Sequence, residues 1–79
     1  MNDRCIYHIQ LRGQVDEGEI NAMSPFRMTV KRTDAASTLF AVCTDQSGLV
    51  GLLRHLHGLG LVFLSVSRLD TDTTNTEDE

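Results

Sequence analysis

The chain carries three histidines, two cysteines and a pair of serines in an alternating stretch, and these are its candidates for chemistry. His55 and His57 stand two residues apart. On a helix that spacing sends them to different sides, so one ion cannot easily bridge them. His8 lies far away along the chain, and no Cys/His pair has the spacing of a structural zinc site. No metal and no other cofactor is expected. Ser65 and Ser67 are the possible nucleophiles, but a hydroxyl is weak without a neighbouring base, and no base is expected beside them. Asp45, just ahead of a leucine-rich stretch, reads as a helix cap rather than a general base. Arg27, Lys31 and Arg32 cluster on one segment and read as a solvated strand edge. Phe40 could serve as a base-stacking platform, but Ile6 and His8 are poor partners for it, so nucleic acid is not an expected partner. These residues assemble no catalytic set, and the chain is not expected to be an enzyme.

The elements that would position them are legible from periodicity. Residues 5–11 alternate, with Cys5, Tyr7, Ile9 and Leu11 on one face and Ile6, His8 and Gln10 on the other, a strand closed by Gly13. Phe26, Met28 and Val30 alternate with Arg27, Thr29 and Lys31 in a second strand. Small polar residues at 33–37 fit a hairpin loop, and 38–43 make a third strand. Between the first two strands, Asp16 and Glu19 have capping-box spacing, while Ile20 and Met23 share a helical face. Gly18, Asn21 and Pro25 restrict that helix to one or two turns. The main helix follows Asp45, with Leu49, Leu52, Leu53 and Leu56 on one stripe, Val50 beside it, and Gly58 or Gly60 as its stop. Arg54, His55 and His57 sit near its C-terminal end, where the macrodipole favours positive charge. Residues 61–67 form the last strand, with Val62, Leu64 and Val66 on one face.

The order is strand, short helix, strand, strand, helix, strand. Right-handed crossovers then give an α+β, ferredoxin-like sandwich. Four antiparallel strands carry two helices on one face, and the first and third strands are central. The helix-facing set is expected to be Tyr7, Ile9, Leu11, Met28, Val30, Leu39, Ala41, Cys43, Val62, Leu64 and Val66. The opposite face then carries Ile6, His8, Phe40, Val42, Leu61 and Phe63, an apolar patch on a surface that should be polar if it meets water. A second copy of the chain is its expected cover. Cys5 and Cys43 both fall on the helix side in this reading, near opposite ends of the sheet and beyond disulfide reach.

Seventy-nine residues bound one domain, assigned here to 1–69, near the size at which a core alone stabilises a fold. At that size a homo-oligomer is a natural source of extra burial. The formal net charge of −4 is unevenly distributed: five of the eleven acids, Asp70, Asp72, Glu77, Asp78 and Glu79, lie in 70–79, which has no apolar residue and is expected to be a disordered acidic tail. The remaining six acids face seven basic residues. No signal-length apolar core opens the chain and no apolar run is long enough to span a membrane, so a membrane partner is not expected. Two free thiols fit a reducing cytoplasm.

Asp45-Gln46-Ser47-Gly48-Leu49, followed by the helix and Leu64-Ser65-Val66, resembles the signature of ACT domains. The resemblance implies a ferredoxin-like module that pairs side by side and binds a small effector at the interface, with Asp45, Gln46, Ser47 and Gly48 as its ligand-binding turn. Residues 7–13, 45–53 and 59–66 together resemble a group of small bacterial stand-alone proteins of uncharacterised function. Arg12-Gly13-Gln14-Val15 resembles the start of an acylphosphatase phosphate loop, but the acids Asp16, Glu17 and Glu19 that follow would repel an anion. The leading expectation is a non-enzymatic interaction or assembly module that self-associates through the apolar sheet face. The alternative is an ACT-like regulatory domain holding a small effector, with another protein as a further possible partner.

Overall fold

The computed structural model describes residues 4–69. β1 (Cys5–Arg12), α1 (Glu17–Met23), β2 (Met28–Thr33), β3 (Ser37–Thr44), α2 (Gln46–Gly58) and β4 (Phe63–Leu69) follow one another along the chain. The strands make one antiparallel sheet in the order β2-β3-β1-β4, the ferredoxin-like arrangement with the first and third strands central. The acidic segment 70–79 lies outside the described residues.

Each helix starts where a carboxylate meets an orphan amide. Asp16 accepts from the Glu19 amide at 3.0 Å and Asp45 from the Gly48 amide at 2.7 Å, each contributing about 1 kcal/mol. α1 is only seven residues long, and Ser24 caps it ahead of Pro25. α2 buries Leu49, Leu52 and Leu56. Beyond its end Gly60 adopts φ +90°, the left-handed region that glycine enters without strain. The amides of Gly60 and Leu61 then turn back to the carbonyls of His57 and Leu56, at 3.0 and 3.2 Å.

Ile20 of α1 and the three leucines of α2 pack on Tyr7, Ile9, Leu11, Met28, Phe40 and Val42. This is where the face reading of β3 is overturned. Phe40 is 0% exposed and Val42 2%, and register places them opposite Ile9 and Tyr7 on the helix side. Leu39, Ala41 and Cys43 take the open face instead, beside Gln10, His8 and Ile6. The reason is that residues 39–43 are apolar at both parities, so alternation does not choose between them. Packing does, because the sheet centre needs the bulk of Phe40. Thr38 shares the inward parity and is also fully buried. Its hydroxyl donates to the Gly13 carbonyl at 2.8 Å and accepts from the Val15 amide at 2.9 Å, which offsets the cost of burying it.

β4 departs from its expected alternation as well. Gln10 pairs with Ser65 but Leu11 with Phe63, so Leu64 is an extra residue at a β-bulge. Leu61 and Phe63 consequently pack against the core rather than on the open face. Val62 and Leu64, expected to face the helices, are exposed. The cysteines also move. β1 and β3 run antiparallel and Cys5 pairs with Thr44, so both cysteines lie at the same end of the sheet. They occupy opposite faces: Cys5 packs on the core and Cys43 is exposed on the other side, and neither is in a disulfide. No helix among the described residues is long and apolar enough to cross a membrane.

Candidate functional site

Of the six residues expected to form an open-face interface, only Ile6 and His8 are on that face; Phe40, Val42, Leu61 and Phe63 are in or against the core. What the open face presents instead is partly polar. Gln10 donates to the Ser37 hydroxyl at 3.0 Å and accepts from the Ser65 hydroxyl at 3.2 Å, bridging β3, β1 and β4. Such a ladder suits a surface that meets water. Toward the other end of this face the sheet sinks into a hollow of about 540 Å³, bordered by Arg4, Arg27, Lys31 and His8 and floored by residues that include Ile6, Ala41 and Cys43.

The two edges of the sheet differ in how their backbone is treated. At β2, the Asn21 side chain accepts from the Met28 amide at 2.7 Å and donates to the Met28 carbonyl at 2.8 Å. A carboxylate oxygen of Glu17 takes the Val30 amide at 3.0 Å. Two side chains of α1 therefore stand in for a fifth strand along this edge. The outer edge of β4 has no strand beside it among the described residues. Of the seven large apolar side chains that are exposed among the described residues, five lie in 59–69: Leu59, Val62, Leu64, Val66 and Leu69, each 39–47% exposed. An unpaired edge flanked by exposed apolar groups is the usual setting for strand addition.

The effector turn expected at Asp45, Gln46, Ser47 and Gly48 is the first turn of α2 and its cap. Asp45 already holds the Gly48 amide that an anion would use, and its own charge repels one. A Cβ at Gly48 would overlap the Thr44 hydroxyl and meet Phe26 Cζ at 3.0 Å, so the turn is seated tightly on these two side chains. The histidines stay apart: His55 Nε2 is hydrogen bonded to the Met23 carbonyl, tying α2 to the end of α1, and His57 is exposed. Register sets His8 directly across from Ser67 on the open face, a neighbour that the unbulged reading of β4 missed. No hydrogen bond joins their side chains among the described residues. No group of three potential metal ligands is found among the described residues.

No curated protein and no solved structure matches the chain. A family model does, and it is not that of the ACT family that the helix-start signature resembles. The matched span, residues 6–67, takes in both sheet edges and both helices, and the chain belongs to the family described as "Domain of unknown function (DUF8691)".

Proposed function

We propose that this is a non-enzymatic assembly module that associates with a second copy of itself, edge to edge through β4. The observation that carries the reading is the contrast between the edges: β2 is closed by Asn21 and Glu17, while β4 has no strand beside its outer edge among the described residues and is bordered by Val62, Leu64 and Val66. Antiparallel pairing of β4 with its copy about a two-fold axis would extend the sheet to eight strands. It would bury the exposed Val66 and Leu64 against their counterparts, in an isologous contact that closes on itself. The partner is thus the one expected from the sequence, with the contact moved from the sheet face to the sheet edge. The alternative, an effector held by Asp45, Gln46, Ser47 and Gly48, has less support, because the cap already occupies the amide an anion needs. The exposed Cys43 thiol supports a reducing, cytoplasmic setting.

Light scattering after size exclusion tests the reading. The full chain is expected to have twice its 8.8 kDa mass at tens of micromolar. Val66→Lys should return it to the monomer mass with an unchanged circular dichroism spectrum. A wild-type monomer at all concentrations, or a dimer indifferent to Val66→Lys, overturns the proposal.

A further inference from the structure

The hollow on the open face shares only Leu69 with the β4 edge and has its own chemistry. Register explains why it is sunk. One row across the sheet reads Thr29, Ala41, His8, and the next reads Cys43, Ile6, Leu69. Small side chains at the β3 positions, Ala41 and Cys43, lie between larger neighbours, and the segment 25–27 entering β2 raises one wall. The volume of about 540 Å³ falls within the range of small-molecule sites. Its lining is one-sided in charge. Arg27 and Lys31 project from the β2 side, where a register shift follows Val30, and Arg4 borders the hollow ahead of β1. No Asp or Glu among the described residues lines it.

We propose that this hollow is a binding site for a small organic carboxylate. The apolar body would lie on Ile6, Ala41 and Cys43, and the carboxylate would turn toward Arg27 and Lys31. Charge complementarity selects an anion over a metal ion or an amine, since the charged side chains that line it among the described residues are cationic. The floor of Ile6, Ala41 and Cys43 favours an aliphatic body over a nucleobase: of the two ring-bearing residues that line the hollow, Phe26 has its ring tip against Gly48 and His8 stands at the rim. The site needs both halves: exposed cations alone hold an anion weakly, and a shallow apolar floor alone gives no orientation.

Three probes separate the halves. Octanoate carries both features, octanol only the apolar one, and acetate only the charge. The full chain is titrated with each while amide resonances of Ile6, Ala41 and Cys43 are followed. A second readout is the rate at which iodoacetamide, a neutral reagent, alkylates the exposed Cys43. Octanoate is expected to shift those resonances and slow the alkylation, with octanol and acetate binding about tenfold or more weaker. Arg27→Gln with Lys31→Gln should weaken octanoate by about tenfold. Ala41→Leu, which fills the floor and leaves every charge in place, should abolish binding in a chain that retains its circular dichroism spectrum. The proposal is overturned if octanoate leaves the hollow unperturbed. Octanol binding as tightly as octanoate, or a double variant of unchanged affinity, overturns it equally.

Discussion

The two edge strands of this sheet have similar jobs and opposite treatment. β2 begins at a hydrophobic residue, Met28, whose amide and carbonyl are taken by Asn21, and the Val30 amide is taken by Glu17. β4 has Val62, Leu64, Val66 and Leu69 exposed along or beside it and nothing across from its outer edge among the described residues. An open edge is a template for adding another strand, so one that is closed and one that is not amounts to a direction of assembly. In the proposed dimer, closure at β2 would limit growth to one added copy, whereas two open edges would permit a chain of copies. The short helix α1 therefore matters less for the area it buries than for the two polar side chains it holds at that edge.

The largest effect bears on the frame that both edges share. Phe40→Ala, at the centre of β3, should cost about 3–5 kcal/mol in urea unfolding, and Phe40→Asp should prevent folding. A folded, stable Phe40→Asp monomer would mean that Phe40 faces outward and that the sheet faces are assigned the wrong way round. Next comes the closed edge itself. Asn21→Ala leaves the Met28 amide and carbonyl without their partners, at a cost of about 1–3 kcal/mol. It should also convert a defined dimer into a distribution of larger species by light scattering. A dimer that stays a dimer would show that Asn21 contributes stability but does not guard the edge.

Gly48→Ala should destabilise by about 1–3 kcal/mol, because the added carbon meets Thr44 and Phe26. Its oligomer mass should be unchanged, since it lies in the first turn of α2 and not on β4; a changed mass would locate the contact at the start of α2 instead. The smallest change in stability belongs to the open edge. Leu64→Lys should alter unfolding by about 0.5 kcal/mol or less while shifting the mass toward monomer. A large loss of stability with the dimer intact would mean that Leu64 packs within its own subunit.

Much of this architecture is local in origin and was legible residue by residue. Asp16 and Asp45 are caps by virtue of their own side chains and the amides three residues on. The leucine stripe of α2 and the alternation of β1 each report burial on one face. The candidate sites were far less legible. The supposed apolar face depended on the parity of β3, and residues 39–43 are apolar on both sides. The edge closure joins Asn21 to Met28 and Glu17 to Val30, seven and thirteen residues apart, by side chain to backbone bonds that leave no periodic trace.

The sequence by itself determined the order of elements, their caps and their stops, because hydrophobic period, cap chemistry and a left-handed glycine act within a few residues. Only the tertiary structure decided which side of β3 meets the helices, where β4 bulges and which edge stays open. Those are questions of register and packing between segments far apart in the chain, where a one-residue slip exchanges the two faces and the free space around Phe40 settles which is buried.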